Sequence, residues 1–186
     1  MIFPAARTLF ATTSPSAPTA TAYASDTIVG SINRLKKGAS AFDVWIKDAK
    51  LGGIDGLAFG DDKNLVVNTV TTGHLFRIPV SKDGSAGDIA EIKPSQPLSR
   101  PDGMRPLGKN EFLLIEGAGR LDHVTVTAGD AKIEVLKDGF NGPTAVTRVG
   151  DTAWVLEGKL NYMQDPKLKD QDPGPFKVYP VPFHGK

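Results

Sequence analysis

The stretch "IDGLAFGDDKNLVVNTVTTGHLFRIPVSKDGSAGDIAEIK", residues 54–93, contains four short β-rich runs separated by polar turns. The runs are GLAF, NLVVNTV, HLFRIPV and IAEIK, and the separators are GDDK, TTG and SKDGSAGD. Asp, Asn and Gly in such separators are typical of turns, because they form local hydrogen bonds or accept positive φ. The stretch therefore predicts four successive strands, which is the content of one β-propeller blade.

The same unit recurs along the chain. IDGLAF (54–59) is followed by the comparable segments PDGMRP (101–106) and NGPTAV (141–146). A second set of anchors consists of Gly30, Gly73, Gly119 and Gly158, which are 43, 46 and 39 residues apart. Repeats of about 40 to 50 residues built from short strands are the signature of propeller blades. We therefore predict an all-β chain, a β-propeller of four-stranded blades present as an incomplete arc of about three to four blades.

Bulk composition excludes several classes of function. The 186 residues suggest one domain, and 40% hydrophobic with 23% charged residues is ordinary for a soluble globular protein. A formal net charge of +1 gives no electrostatic reason to expect a nucleic acid or a membrane as partner. The absence of cysteine excludes thiol chemistry and leaves the compartment, cytoplasmic or secreted, open.

The N-terminal residues differ in composition from the rest. Residues 1–20 are rich in Ala, Thr, Ser and Pro and contain no acid, which predicts a disordered leader before propeller blades at 21–186. A signal peptide cleaved after AYA (22–24) is the alternative, although Arg7 interrupts its apolar run. Downstream of the leader, TAYAS, GSINRL and FDVWIK are expected to be the outer three strands of a further blade.

Several of these motifs resemble the senescence marker protein/gluconolactonase (regucalcin-like) family. PDGM around Asp102, DGLAF around Asp55, GHLFRIPVSKDGSAG and NGPTAVTRVGDTAWVLEG carry the resemblance, which covers roughly residues 21 to 184. It implies a six-bladed propeller of which this chain holds the C-terminal blades. It also implies a metal-dependent hydrolase of lactones or related cyclic esters, with a small lactone or ester as partner.

The resemblance further implies a divalent cation on the central axis, with Ca²⁺ expected first and Mg²⁺, Mn²⁺ or Zn²⁺ as alternatives. Asp102 matches the family's ligand Asp, and Asp55 stands where the family has Asn. The family's Glu ligand, from an early blade with a Glu-Gly-Pro motif, has no counterpart in this sequence. Asp102 is also the candidate catalytic residue, as a general base beside the cation.

Position alone gives a related expectation. The first strand of each blade lines the channel of a propeller, so Asp55, Asp102 and Asn141 should converge at one mouth. Their oxygen donors suit a hard cation. The alternative is that Asp or Asn before Gly only forms a turn. Three side chains near the ends of second strands are expected near turns at the surface, with the rim of the same mouth as the alternative: Asn68, Glu116 and Glu157.

Two further interpretations remain open. The competing function is a non-catalytic propeller fragment that acts as a binding or assembly module, and an acidic ligand from an early blade would separate it from the hydrolase. An arc of blades would expose apolar faces at both ends, and such faces drive association. A homodimer is therefore also expected.

Overall fold

The computed structural model describes residues 9–12 and 21–183, and its strands fall into four consecutive blades. Blade 1 consists of β1 (Leu9–Thr12), β2 (Ala22–Asp26), β3 (Ser31–Leu35) and β4 (Asp43–Lys47). Blade 2 consists of β5 (Ile54–Phe59), β6 (Leu65–Thr69), β7 (Leu75–Ile78) and β8 (Ala90–Pro94). Blade 3 consists of β9 (Pro101–Gly108), β10 (Glu111–Glu116), β11 (Arg120–Val126) and β12 (Asp130–Lys137). Blade 4 consists of β13 (Pro143–Val149), β14 (Thr152–Glu157) and β15 (Lys177–Pro182).

Helical structure in the described residues is confined to a 3₁₀ turn at Ala49–Leu51 and the four-residue helix α1 (Asn161–Gln164). Consecutive strands of each blade pair antiparallel. Blades 2 and 3 are additionally joined where β8 pairs in parallel with β12, so that their strands form one eight-stranded sheet. The expected arc of four-stranded propeller blades is confirmed.

Three apolar clusters hold the blades together, one between each pair of neighbours. The second strands of blades 2 and 3, β6 and β10, each contribute to two of these clusters. Val66 of β6 packs toward blade 3 while Leu65 and Val67 pack toward blade 1. Likewise, Leu114 of β10 packs toward blade 2 and Leu113 toward blade 4. Because both faces of these strands are covered, their sequences are continuous apolar runs and do not alternate.

Blade 4 has a different pattern, because only one of its faces is covered. In β14, Ala153 and Val155 are buried against blade 3, whereas Trp154 between them is 37% exposed. On the neighbouring strand β15, Val178 is 54% exposed. In blade 1, Val44 of β4 is similarly exposed. The two end blades therefore present apolar side chains that no other described residue covers.

The N-terminal prediction lies largely outside the described residues. Within residues 1–20 only Leu9–Thr12 are described, and they form β1, which pairs antiparallel with β2. At those four residues the structure has a strand where the sequence predicted disorder, and this strand supplies blade 1 with an inner strand that the sequence repeat did not reveal. No helix within the described ranges has the length and apolar character needed to cross a bilayer.

The inner strands of blades 2, 3 and 4 approach each other closely at two glycines. A Cβ atom on Gly56 would collide with the carbonyl oxygen of Asp102, and one on Gly103 would lie 2.7 Å from the carbonyl oxygen of Thr144. Neither glycine has a positive φ, so the requirement is for space and not for an unusual backbone conformation. The glycine after each aspartate is therefore a packing device.

A pair of carboxyl groups is enclosed between blades 2 and 3. Glu116 and Asp122 are both fully buried, and Arg120 Nη1 lies 3.5 Å from Glu116 Oε1. Neither carboxyl oxygen of Asp122 has a hydrogen-bond partner among the described residues, so an ionised Asp122 would lack a donor. Burial, then the charge of Glu116 and a hydrogen bond to it, raise the pKa of Asp122 to about 8. A proton held between the two carboxyl groups supplies the missing donor.

Gly103→Ala should destabilise the fold by about 1–3 kcal/mol, because the added methyl group meets backbone atoms that cannot rotate away. Gly129→Ala is the matched control, since its Cβ would meet nothing within 4 Å. Urea unfolding of the three proteins measures both effects. Equal stability of the two variants would contradict the packing argument.

The free energy of unfolding should fall as pH rises from about 4 to about 8. The raised pKa means that folded Asp122 keeps its proton in this window while the unfolded chain loses it, so its contribution is complete below pH 4. Asp122→Asn should lower the slope of this dependence, since an amide can donate to Glu116 at any pH. The raised pKa values of Asp55 and Asp102 keep the rest of it. Asp88→Asn, at an exposed carboxyl group, should leave the dependence as in the wild type. Parallel curves for wild type and Asp122→Asn would refute the shared proton.

Candidate functional site

Asp55 and Asp102 hold the same place in two successive blades. Each is the second residue of an inner strand, β5 or β9, and the residues are only 7% and 6% exposed. The turn interpretation is wrong for both, because the Asp-Gly dipeptides lie inside strands. Their carboxyl groups are close enough for the charge of Asp55 to act on Asp102. The structure thus brings these two predicted residues together.

Buried polar side chains fix the backbone at both aspartates. Asn68 is fully buried, and its side-chain amide accepts a hydrogen bond from the Gly56 N–H (3.1 Å) and donates one to the Asp102 carbonyl oxygen (2.7 Å). The Ser25 hydroxyl donates to the Asp55 carbonyl oxygen at 2.7 Å. One side chain from each preceding blade therefore sets the position of the next aspartate. The expectation of a surface position for Asn68 was wrong, and its role could not be read from the sequence because its partners lie 12 and 34 residues away.

Both carboxyl groups hold their protons more strongly than an exposed aspartate does. Burial raises the pKa of Asp55 to about 6. Burial, and then the charge of Asp55, raise the pKa of Asp102 to about 8, although the Gly103 N–H favours its ionised form. Near neutral pH, Asp55 is thus the ionised member and Asp102 the protonated one. The site stores an uncompensated negative charge that a proton or a cation can relieve.

Asn141 is placed differently from the two aspartates. It precedes β13, is exposed, and its backbone N–H donates to Glu157 Oε1 at 2.7 Å. Glu116 accepts from the Ser99 N–H in the equivalent connection before β9. Both glutamates are buried, so the expectation that they lie at the surface was wrong. They hold the blade connections, and the Glu-Gly repeated at the ends of β10 and β14 was the signal for it.

A cavity of about 300 Å³ lies beside Asp102. Its polar lining comes from the connections between blades and from the strands and turns next to them, and consists of Arg100, Asp102, Asn141, Thr144 and Asn161. The Asn161 Oδ1 atom is buried and has no hydrogen-bond partner among the described residues. Asn141 therefore shares a cavity with Asp102, although it does not occupy the equivalent strand position.

The oxygen donors at this site are of the type that a hard divalent cation binds. Asp55 and Asp102 offer carboxylate oxygens, which Mg²⁺ uses one or two at a time together with water. Ca²⁺ takes six to eight oxygens, of which two carboxylates supply only a part. Within the described ranges no group of three or more His, Cys, Asp or Glu side chains could hold a metal ion. The pair fits a cation that keeps water or other oxygen ligands.

No protein-family model matches the sequence, and no curated protein matches it either. Solved structures do match its fold. A virginiamycin B lyase from Staphylococcus aureus is 18% identical with a TM-score of 0.56, over 73% of this chain and 44% of that one. A putative gluconolactonase is 18% identical with a TM-score of 0.60, over 75% and 52%.

A regucalcin from Agrobacterium tumefaciens, described as a calcium-binding protein, is 15% identical with a TM-score of 0.56, over 87% of this chain and 57% of that one. The chain thus spans about half the length of the structures it matches. At these identities the likeness concerns the fold. The chain is an arc of a β-propeller, and it shares that fold with gluconolactonase-like and regucalcin structures.

Proposed function

We propose that this chain provides the catalytic mouth of a cation-dependent hydrolase that opens lactones or related cyclic esters. The observation that carries the proposal is the buried pair Asp55–Asp102, which lies at the start of two inner strands and, through Asp102, at a cavity. Likeness in fold to a putative gluconolactonase and to a calcium-binding regucalcin supports it.

Asp55 and Asp102 would hold a divalent cation, with Ca²⁺ or Mg²⁺ as the candidates. When bound, the cation supplies Lewis acidity that polarises an ester carbonyl. The cation also favours the ionised form of both carboxyl groups. Asp102, which lines the cavity, then serves as the general base that takes a proton from the attacking water. Asn68 holds the backbone of Asp102 in place for this step.

The competing proposal is a binding module without catalysis. It is favoured by the number of ligands, because two carboxylates bind a cation more weakly than a complete set does. Both proposals predict cation binding, and only the hydrolase predicts turnover. The expected homodimer stays a prediction. Its physical basis is the exposed apolar faces of blades 1 and 4.

Calorimetry should detect Ca²⁺ or Mg²⁺ binding that strengthens as pH rises from 6 to 8. Protons compete with the cation for carboxyl groups whose pKa values are about 6 and about 8. Asp102→Asn should weaken binding by about tenfold or more, since disturbing even a residue that only orients a ligand costs roughly 10–100-fold. The variant should also lose the dependence on pH above 7.

Asp88→Asn is the control for general charge, because it removes an exposed carboxyl group that does not line the cavity. Its affinity should equal that of the wild type. If Asp102→Asn binds the cation as tightly as the wild type does, Asp102 is not a ligand.

Hydrolysis of simple lactones should depend on Asp102. With saturating cation, Asp102→Asn should lower kcat/KM by about 100-fold or more, which is the usual contribution of a general base. Asp88→Asn should retain the wild-type rate. The assay follows acid release at fixed pH. Cation binding without any turnover would reject the hydrolase and favour the binding module.

A further inference from the structure

Backbone hydrogen bonds fix the rim of the cavity beside Asp102 in blades 2, 3 and 4. In each of these blades, the turn after the second strand donates a hydrogen bond to the connection before the first strand of the same blade. The bonds are Val70 N–H to the Gly53 carbonyl (2.8 Å), Gly117 N–H to the Arg100 carbonyl (2.7 Å) and Gly158 N–H to the Gly142 carbonyl (3.0 Å). The rim is therefore preformed, as ligand cavities usually are.

These three turns place small or apolar side chains at the cavity. Val70 comes from blade 2, Ala118 from blade 3 and Leu160 from blade 4. Phe140, in the connection to blade 4, and Pro143, the first residue of β13, extend the apolar lining. The cavity therefore has apolar side chains from all three turns next to the polar side chains of Arg100, Asp102 and Asn141.

Leu160 is held in position by its neighbour. Lys159 has a positive φ of 50°, which is uncommon for lysine, and its N–H donates to the Gly142 carbonyl at 3.3 Å. Its ammonium group donates to the Pro175 carbonyl at 2.9 Å and thereby fixes the long loop before β15. Leu160 remains 36% exposed at the rim. An apolar side chain fixed in an exposed position is suited to a ligand that covers it.

The charges at the cavity argue against a strongly anionic ligand. Arg100 is the one cationic side chain among the described lining residues, and its Nη2 already donates to the Gly117 carbonyl at 3.0 Å. Asn161 Oδ1 is buried without a partner among the described residues, and an acceptor oxygen of this kind offers an anion no hydrogen bond. The cavity volume of about 300 Å³ is at the small end for ligand sites.

We infer that the cavity selects a small uncharged lactone or cyclic ester that carries an apolar substituent. The substituent lies against Val70 and Leu160, and the ring lies beside Asp102. This inference rests on the proposed function for its reacting group. It adds the class of substituent, and it favours an alkyl-substituted ring over a polyhydroxylated one.

The test compares three lactones on the full 186-residue chain: δ-valerolactone, the same ring with a butyl substituent, and glucono-δ-lactone. The butyl-substituted ring should have the highest kcat/KM, by about tenfold over the parent ring, as expected for apolar groups in a hydrophobic pocket. Leu160→Asn should remove most of this preference, so that the ratio of the two kcat/KM values falls toward one. Met163→Asn is the matched control, since Met163 is 78% exposed, lies in the same turn and does not line the cavity.

A binding experiment separates failure of this inference from failure of the proposed function. Calorimetry with δ-valerolactam and its butyl-substituted form needs no catalysis. Tighter binding of the butyl form, lost in Leu160→Asn and kept in Met163→Asn, supports the inference even if no lactone is hydrolysed. Equal binding of both lactams, a preference for glucono-δ-lactone, or a preference unchanged by Leu160→Asn overturns it.

Discussion

The close approach of neighbouring inner strands at Gly56 and Gly103 is the constraint on which the mouth of this arc depends. With no Cβ at these positions, the Asp102 carbonyl comes within reach of Asn68, and β9 packs directly on the start of β13. The same approach brings the carboxyl groups of Asp55 and Asp102 close enough to interact electrostatically at low exposure. Packing, and not turn formation, thus explains why aspartate and glycine occur together here.

Two pairs of acids in this chain respond to burial in the same way but differ in access. Glu116 and Asp122 are fully buried, so they can share a proton but neither a metal ion nor a substrate has access to them. Their role is therefore structural. Asp102 instead lines a cavity, and this access is what the proposed binding of a cation and a substrate requires. Raised pKa values alone would not separate these roles. Access to the cavity does.

Local signals in the sequence were sufficient for the repeat and for most strands. Apolar runs such as LVV and FLLI, bounded by glycine turns, predicted β6 and β10 because blade neighbours cover both of their faces. The contacts that build the site are not local. Asn68 bonds across 34 residues, and Glu157 bonds the N–H of Asn141 across 16. An Asp-Gly dipeptide can lie in a turn or in a closely packed strand, and the structure is needed to distinguish the two.

Buried and exposed side chains alternate along β14, because one face of blade 4 is uncovered. Trp154 and Val178 lie on a face of blade 4 that other blades would cover in a closed ring, and Val44 marks the corresponding face of blade 1. The Asp55–Asp102 pair, for its part, offers fewer oxygens than Ca²⁺ takes. Both deficits concern the same region, because blades that cover the end faces also continue the channel wall opposite Asp55 and Asp102. Closure of the ring would therefore bury the apolar faces and complete the channel wall around the proposed cation site in one step.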